Sequence, residues 1–249
     1  MLTEERQHYI LEQLQATPVV KLKDLMQALG ASESTIRRDL GELELAGKLR
    51  RIHGGAERLS TTTKEASVHE KAEQNLLDKQ LIATKAANMV PDNACIFLDA
   101  GTTTAQMIPL LAGKAVTVVT TGVDNASALA DANIDAYMLG GKIKAATKAT
   151  VGAGTVNGLR QRHFDFAFLG TNGVHPKFGL TTPDAEEALV KQTAIEQSTT
   201  TVVLADPSKF GIVSNALFAK LPQVQILTTS LKEASAAYRE YSNIMEVSH

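Results

Sequence analysis

The sequence has little of what membrane, secreted and metal-binding proteins require. No run approaches the roughly 18 consecutive apolar residues that a membrane span needs, and the charged start MLTEERQHYI lacks the apolar core of a signal peptide. One cysteine, Cys95, cannot form an internal disulfide or a cysteine-based zinc site, and the six histidines show no close ligand pairing. We therefore expect a cytoplasmic protein with no bound metal and no membrane contact.

The sequence also lacks the basic excess that often marks nucleic-acid-binding proteins. Lys and Arg total 25 against 27 Asp and Glu, which gives a formal net charge of −2. Local clusters matter more, because a balanced domain can still carry a basic face, and Arg37, Arg38, Arg50 and Arg51 lie close in sequence. A chain of 249 residues exceeds one typical domain of about 150, so two domains are expected.

Short helices and a hairpin are predicted for the first 58 residues. Thr3 is a plausible N-cap for a first helix, Pro18 prevents its extension, and Gly30 supplies a left-handed end for a second helix. Ser32 is expected to cap a third helix that ends at Gly47. Two capped helices joined by a tight turn are typical of a helix-turn-helix motif.

A basic hairpin follows the third helix. The segment 49–56 (LRRIHGGA) has two apolar anchors and a Gly-Gly pair suited to a tight turn, which predicts a wing. Residues 59–64 (LSTTTK) lack core residues and indicate a linker. We assign residues 1–58 to a winged helix-turn-helix domain, 59–75 to the linker and the start of a connecting helix, and 76–249 to a second domain.

The second domain has the pattern of an α/β fold. A helix is predicted from residue 65 to 89, and apolar runs then alternate with amphipathic helical stretches. The apolar runs lie at 94–98, 116–119, 136–139, 166–169, 201–204 and 224–227. Because they show no polar alternation, we expect strands covered on both faces and a mainly parallel sheet.

The third helix carries polar side chains suited to DNA. Arg37 and Arg38 diverge by about 100° around the helix, so one is expected to reach a guanine edge and the other a phosphate. The alternative is a solvated face, in which each arginine pairs with Glu33 or Glu42 at i,i+4 spacing. The full set of residues expected to contact DNA is Ser32, Ser34, Thr35, Arg37, Arg38, Arg50, Arg51 and His53.

In the second domain, a glycine-threonine turn follows the first apolar strand. Consecutive backbone N–H groups at 99–104 (DAGTTT), with no side-chain bulk at Gly101, suit a phosphate. The alternative is a threonine N-cap after a tight turn. Since the carboxyl ends of strands collect ligands in open α/β sheets, the turn predicts a small-molecule site there.

Later strand ends supply further candidates for this site. Glu186 is expected to face the pocket, whereas Glu187 and Lys191 have the i,i+4 spacing of surface helix support. A carboxylate such as Asp206 suits sugar hydroxyls, and an ammonium such as Lys209 suits a phosphate. The full set of effector-binding candidates is Asp99, Gly101, Thr102, Thr103, Thr104, Thr121, Gly141, Lys142, Gly170, Asn172, Gly173, Thr181, Thr182, Glu186, Asp206 and Lys209.

Several of these runs carry a family resemblance. The segments 32–40 (SESTIRRDL) and 49–56 (LRRIHGGA) resemble the winged helix-turn-helix of the DeoR family of bacterial sugar-metabolism repressors. That resemblance implies that the third helix enters the major groove and that the second domain is similar to ribose-5-phosphate isomerase. It also implies a phosphate loop at 101–104 and sugar contacts at 170–173, 181–182 and 206–209.

Within that family, MLTEER, FLGTNGV, GLTTPD and VLADPSKFG most resemble the fructose-operon repressors of Gram-positive bacteria, which implies fructose 1-phosphate as the effector. We therefore expect a repressor, released from double-stranded operator DNA by a phosphorylated sugar, with no catalytic residues and no cofactor. It is expected to be a homo-oligomer, a dimer or a tetramer, because helix-turn-helix domains usually read two half-sites.

Two other functions remain possible from the sequence. The first is an isomerase-like enzyme with an attached helical module, in which Glu186 or Asp206 is the base and Lys209 the electrostatic stabiliser. The capped third helix and its basic wing have no evident purpose in such an enzyme. The second is a winged helix that binds protein rather than DNA.

Overall fold

The computed structural model describes residues 2–17, 19–58, 67–231, 238 and 240–247. Residues 2–58 form a unit that we call the head, and the described residues from 67 onward form the body. Pro18, the predicted linker at 59–64 and the predicted helix start at 65 lie outside the described residues.

The head contains three helices and a small antiparallel sheet. The helices are α1 (Thr3–Ala16), α2 (Leu22–Leu29) and α3 (Glu33–Leu45). The strands β1 (Val19–Lys21), β2 (Leu49–Ile52) and β3 (Gly55–Arg58) pair in the order β1-β3-β2. Its core is built from apolar residues of every helix and of the sheet, among them Ile10, Leu14, Leu25, Ile36, Leu40, Leu43 and Leu49.

Local chemistry explains the helix ends of the head. Gly30 ends α2 at φ +57°, and the Ser32 hydroxyl caps α3 by accepting the backbone N–H of Thr35 at 3.3 Å, so both predictions are confirmed. The predicted N-cap at Thr3 is wrong. Leu2 occupies the cap position instead, and its N–H donates to the Glu5 carboxylate at 2.9 Å.

The sequence analysis did not predict strand β1. Gly54 makes the expected left-handed turn at φ +80°, but Gly55 serves a different purpose. A Cβ on Gly55 would lie 2.0 Å from the carbonyl oxygen of Val20, so glycine is what allows β3 to approach β1.

The body is built around one parallel sheet. It contains β4 (Cys95–Leu98), β5 (Thr117–Thr120), β6 (Asp135–Met138), β9 (Phe164–Gly170), β12 (Ser198–Leu204), β14 (Gln225–Thr229) and β15 (Ile244–Val247). The strand order is β15-β14-β12-β9-β4-β5-β6, and every pairing is parallel. All six predicted strands are present, and β15 was not predicted.

Helices cover both faces of this sheet. They are α4 (Val68–Ala72), α5 (Leu76–Asn88), α6 (Thr102–Ala105), α7 (Ile108–Leu111), α8 (Val123–Asp131), α9 (Ala153–Arg160) and α10 (Ala185–Glu196). In β4, Phe97 packs into the core with α9 and α10, whereas Ile96 and Leu98 pack into the core with α5, α7 and α8. Both faces of the sheet are therefore buried. This confirms the prediction that the unbroken apolar runs are strands covered on both faces.

Two smaller sheets lie beside the main one. A hairpin is formed by β7 (Lys142–Lys144) and β8 (Ala149–Val151), and an antiparallel sheet by β10 (Gly173–His175), β11 (Gly179–Thr182) and β13 (Ala216–Ala219). The single helix predicted from 65 to 89 is interrupted between α4 and α5, because Asn75 adopts a left-handed conformation at φ +51°.

The strand order reverses between β4 and β9. The chain adds β5 and β6 on one side of β4 and then returns to place β9 on the other side. In open α/β sheets such a switch point leaves a crevice at the carboxyl ends of the strands, where ligands bind. The predicted architecture, a winged helix-turn-helix followed by a parallel α/β domain, is confirmed.

Over the described part of the chain, no helix is both long and apolar enough to cross a membrane. The same residues contain no group of three or more His, Cys, Asp or Glu side chains that could hold a metal ion.

Candidate functional site

The amino end of α3 presents hydroxyl groups at the surface. Ser32 Oγ lies 3.0 Å from Ser34 Oγ and 2.8 Å from Thr35 Oγ1; Ser32 and Ser34 are exposed, and Thr35 is half-buried. These hydroxyls and the first backbone N–H groups of the helix can donate to an anion that approaches along the helix axis.

The two adjacent arginines of α3 point into solvent. Arg37 Nη2 lies 2.7 Å from Glu33 Oε1, and Arg38 Nε lies 3.1 Å from Glu42 Oε1, so the i,i+4 pairs considered from the sequence do form. Exposed pairs of this kind stabilise a protein by only about 0–1 kcal/mol. A phosphate or a guanine edge can therefore displace either glutamate at little cost.

In the wing, the arginines are more constrained. Arg50 makes an ion pair with Glu57, which faces it across the β2–β3 register. The backbone N–H of Arg51 donates to Glu44 Oε1 at 2.8 Å, and its guanidinium lies 3.6 Å from where a Cβ on Gly41 would be. His53 stands exposed at the hairpin turn.

A buried ion pair fixes α3 against α1. Arg6 Nε donates to Asp39 Oδ2 at 2.7 Å, and its Nη2 donates to Oδ1 at 3.0 Å. Asp39 is 1% exposed, and the paired carboxylate raises the pKa of Arg6 above its ordinary value. Sequence reasoning missed this pair, although Asp39 stands three positions after the core residue Ile36 and so lies near the inward face.

A pocket opens in the body at the carboxyl ends of β4, β9, β12 and β5, the edge that holds the switch point. The predicted residues that line it are Asp99, Gly101, Thr102, Thr103, Thr121, Gly170, Asn172, Asp206 and Lys209. The lining residues that were not predicted include Lys71, Gln74, Asn75, Lys79, Thr147, Thr150, Glu187 and Lys191.

The glycine-threonine turn forms one wall of the pocket. Gly101, Thr102 and Thr103 line it directly. Thr104 does not, because it is fully buried and its hydroxyl donates to the carbonyl of Asp99 at 2.6 Å and accepts the N–H of Gly101 at 3.1 Å. Thr104 thus shapes the turn from behind.

Lys191 and Asp99 form a buried ion pair at the floor of the pocket. Lys191 Nζ donates to Asp99 Oδ2 and, at 3.0 Å, to the carbonyl of Gly170. The N–H of Gly170 donates to the same Asp99 oxygen at 2.9 Å, which ties the end of β9 to the end of β4. Lys191, which the sequence analysis treated as surface support, is only 6% exposed.

Glu187 also faces the pocket, contrary to expectation. It is 8% exposed, and it pairs with Lys144 at 3.1 Å rather than with Lys191. Its carboxylate accepts the Thr147 hydroxyl at 2.6 Å and the Thr182 hydroxyl at 3.3 Å. Thr182, an effector candidate, therefore lies behind the pocket and orients Glu187.

Glu186 and its predicted neighbours lie outside the pocket. Glu186 is exposed and pairs with Lys142 at 3.5 Å, and the Lys142 side chain is itself 75% exposed. The next residue along a helix is rotated by about 100°, so burial of Glu187 turns Glu186 away. Gly141 has a packing role, because a Cβ there would lie 2.1 Å from the hydroxyl of Thr155.

Two further candidates belong to the small sheet rather than to the pocket. A Cβ on Gly173 would lie 2.4 Å from the carbonyl of Ile212. The Thr181 hydroxyl accepts the N–H of Ser214 at 2.9 Å, and Thr181 lines a separate groove.

Asp206 carries the least satisfied polar atom of the pocket. The residue is 1% exposed, and its Oδ1 accepts Asn75 Nδ2 at 2.9 Å and the N–H of Ser208 at 3.0 Å. Among the described residues, Oδ2 has no hydrogen-bond partner, and Lys209 Nζ lies 3.8 Å from it. A buried carboxylate oxygen without a donor is costly, so this atom is suited to a ligand hydroxyl.

Residues of α4, α5 and their junction close the pocket, which sequence reasoning missed. Lys79 is 3% exposed and donates to the carbonyl of Lys71. Burial lowers the pKa of Lys79, Asp206 opposes that shift, and Lys209 and Lys71 add to it. The available signal was the spacing of four from Lys71 to Asn75 to Lys79, which would place them on one side of the predicted helix; in the structure α4 and α5 bring them together across the interruption at Asn75.

The charges around the pocket are unequally distributed. Lys191 is matched by Asp99, and Glu187 is matched by Lys144. The other charged residues of the lining include two lysines, Lys79 and Lys209, against one aspartate, Asp206. That side of the pocket is cationic and suits a phosphate dianion beside a hydroxylated group.

Family models match both parts of the chain. Residues 6–62 match a DeoR-like helix-turn-helix domain, and residues 74–231 match the DeoR C-terminal sensor domain. The chain belongs to the DeoR family. It is a DNA-binding transcriptional regulator, and the family assignment decides against the isomerase-like enzyme.

Named relatives extend over most of the chain. An uncharacterized HTH-type transcriptional regulator, FruR, of Bacillus subtilis is 46% identical and covers 99% of both chains. A lactose phosphotransferase system repressor of Staphylococcus epidermidis is 32% identical over 84% of this chain and 85% of its own. Among solved structures, ribose 5-phosphate isomerase A of Methanocaldococcus jannaschii aligns over 53% of each chain at 20% identity and a TM-score of 0.40.

Proposed function

We propose that this DeoR-family protein represses a sugar-utilisation operon and leaves its operator when a phosphorylated sugar, fructose 1-phosphate, binds the pocket of the body. The head contacts the major groove through the amino end of α3, with the wing beside it. The name of the lactose phosphotransferase system repressor supports a sugar operon as the target. Fructose 1-phosphate follows from the resemblance of the runs FLGTNGV, GLTTPD and VLADPSKFG.

The buried oxygen Oδ2 of Asp206 is the observation that carries the proposal. It lacks a hydrogen-bond partner among the described residues, lines the pocket, and lies beside the ammonium groups of Lys79 and Lys209. A phosphorylated sugar supplies both a hydroxyl donor for the carboxylate and a dianion for the lysines. A plain anion would supply only the second, and a neutral sugar only the first.

Thermal shift with the full-length protein tests the ligand. The panel is fructose 1-phosphate, fructose 6-phosphate, fructose 1,6-bisphosphate, tagatose 6-phosphate and glycerol 3-phosphate. Because a ligand of the native state raises the melting temperature by mass action, we expect fructose 1-phosphate to give the largest rise. A panel without any rise contradicts the proposed effector class.

Asp206→Asn tests whether the buried oxygen Oδ2 of Asp206 accepts a hydrogen bond from the ligand. Asparagine keeps the Oδ1 contacts but places an N–H₂ group where a hydrogen-bond acceptor is needed, so we expect affinity for fructose 1-phosphate to fall about ten- to hundredfold. Thr228→Val is the matched control, since Thr228 Oγ1 is the other buried side-chain atom without a partner among the described residues, and it does not line the pocket. Equal affinities of the two variants for fructose 1-phosphate would contradict the proposed role of Asp206 in binding it.

The proposal includes a homo-oligomer, a dimer or a tetramer, because paired heads are needed to read two half-sites. Sedimentation analysis of the purified protein, free and on a palindromic operator, measures this directly. A monomer that binds its operator with full affinity would contradict it.

A further inference from the structure

The carboxyl end of α3 contacts the body. A Cβ on Gly47, just after α3, would lie 2.2 Å from Cε2 of Phe178, so the aromatic ring lies directly against the glycine backbone. Beside it, His175 Nε2 is 2.9 Å from the carbonyl oxygen of Glu44. Both Phe178 and His175 belong to the tip of the β10–β11 hairpin.

The hydrogen bonds of His175 fix its tautomer. Its Nδ1 accepts the backbone N–H of Lys177 at 3.1 Å and that of Phe178 at 3.3 Å. Since Nδ1 is an acceptor, the proton of the neutral ring is on Nε2, which donates to Glu44. The imidazole, 1% exposed, thus joins the hairpin tip to one of the last carbonyls of α3.

The same hairpin begins at the pocket. Asn172, which lines the pocket, immediately precedes β10, and its side-chain oxygen lies 3.1 Å from the hydroxyl oxygen of Thr182 on β11. The register pairs Gly173 with Thr181 at this base and His175 with Gly179 at the tip. A short, fully paired hairpin therefore connects the pocket wall to α3.

A second segment leads from the pocket to the same place. Asp206 and Lys209 line the pocket, and the chain then passes Phe210 to Gly211. The site of a Cβ on Gly211 is 3.4 Å from Glu44 Oε1. The N–H of Gly211 donates to the carbonyl of Val174, at 2.9 Å, which joins this segment to the hairpin.

We propose that the contact of the hairpin tip with the end of α3, through Phe178–Gly47 and His175–Glu44, is the link by which the pocket controls the orientation of the head. This inference rests on the proposed function for the identity of the effector, but the contact itself does not. On this proposal the contact holds the head in the orientation that binds DNA, and it leaves Ser34, Arg37 and Arg38 exposed in the amino-terminal half of α3. Effector binding at Asn172 and Asp206 displaces the hairpin and releases the head.

Hydrogen exchange at the backbone amides of residues 43–48 tests the contact without any ligand. Phe178→Ala removes the ring from Gly47, and we expect exchange there to accelerate several-fold. Leu217→Ala is the matched control, because Leu217 is an exposed apolar residue of β13 in the same small sheet, within the groove that Phe178 also lines. Exchange in Phe178→Ala equal to wild type would overturn the proposal.

The link is tested by operator affinity with and without fructose 1-phosphate. Allosteric couplings are typically about 5- to 150-fold, and we expect such a loss of affinity in wild type and in Leu217→Ala. In Phe178→Ala the ligand-free affinity should fall toward that of liganded wild type, and ligand should change it less than about twofold. Retention of the full response in Phe178→Ala would overturn the link.

Failure of the effector assignment can be distinguished from failure of the link. If no member of the sugar phosphate panel binds, the proposed effector is wrong, and Asn172→Ala then tests the link without ligand. A change in exchange at residues 43–48 in Asn172→Ala supports the link, and unchanged exchange overturns it.

Discussion

The ion pairs on the exposed face of α3 in the head and at the floor of the pocket in the body are arranged in opposite ways. On α3, Arg37 and Arg38 are exposed, and each pairs with a glutamate four residues away. In the pocket, Asp99 and Lys191 are buried and lie 92 residues apart in sequence. Both arrangements are ion pairs, yet they serve different purposes.

Exposure determines what each pair can do. An exposed pair holds its arginine only weakly, so the arginine can leave its glutamate and bind DNA at little cost in free energy. A buried pair is costly to break, because the remaining charge has lost its solvent and its partner. The exposed face of α3 therefore offers side chains that can exchange partners, whereas the Asp99–Lys191 pair keeps a fixed frame at the floor of the pocket.

The largest expected effect is at the buried pair. Lys191→Met leaves the Asp99 carboxylate buried without its cation, and we expect a loss of about 3–5 kcal/mol in the free energy of unfolding. Urea unfolding at pH 7 measures it. Lys148→Met, which breaks the exposed pair with Asp124 at 3.0 Å, is the control and should cost at most about 1 kcal/mol. Equal losses in the two variants would remove the distinction between buried and exposed ion pairs.

A second variant sharpens the same comparison. Replacing both partners, Asp99→Asn with Lys191→Met, removes the unpaired charge, so we expect much of the stability lost in Lys191→Met to return. A double variant that is no more stable than Lys191→Met would show that packing of the lysine stem, rather than charge, holds this site.

The exposed arginines should affect DNA and not stability. Arg37→Ala or Arg38→Ala is expected to weaken operator binding by about 1–3 kcal/mol if the residue reads a base. If it contacts only a phosphate, sequence preference is retained and the salt slope falls by about one unit. Fluorescence anisotropy at several salt concentrations measures both. Lys85→Ala, an equal charge change on α5 of the body, is the control, and wild-type affinity in both arginine variants would contradict the groove assignment.

The same contrast explains what could be predicted from the sequence. Contacts within one element follow from spacing, so the pairs of Arg37 and Arg38, the Ser32 cap and the Gly30 helix end were all foreseen. Unbroken apolar runs likewise predicted the six strands, since burial of both faces is visible in each run alone.

Contacts between distant segments were not foreseen. The i,i+4 spacing suggested an ion pair between Glu187 and Lys191. In the structure Glu187 instead pairs with Lys144, and Lys191 pairs with Asp99. Spacing along a helix shows which residues can meet and not which partner the neighbouring strands present. Strand β1 was missed for the same reason, because three residues acquire their strand character only by pairing with β3.

A smaller effect is expected inside α3. Gly41 lies within the helix, where glycine is less favourable than alanine by about 1 kcal/mol. A Cβ there would meet Arg51 Nη1 at 3.6 Å, an ordinary contact, so Gly41→Ala should stabilise the head by about that amount without altering operator affinity. Thermal unfolding measures the gain. A loss of stability would mean that α3 needs closer packing at Gly41 than this contact indicates.

The smallest expected effect is the pH dependence of the contact between head and body. Burial lowers the pKa of His175, and nearby Lys177 adds to the shift, whereas the bond to the Glu44 carbonyl opposes it. Protonation at Nδ1 would also break the two hydrogen bonds that this atom accepts. Because the released form has the ordinary pKa of about 6.5, the contact is at full strength above that pH and weakens as the pH falls below it.

Hydrogen exchange at residues 43–48 between pH 7.5 and 5.5, corrected for intrinsic exchange rates, measures this dependence. Burial raises the pKa of the neighbouring Glu44 carboxyl, which could titrate in the same experiment. Glu44→Gln removes that carboxyl and keeps the backbone carbonyl that His175 contacts, so the dependence should persist in this variant. Its disappearance in Glu44→Gln would assign the effect to the carboxyl of the head instead of the imidazole of the body.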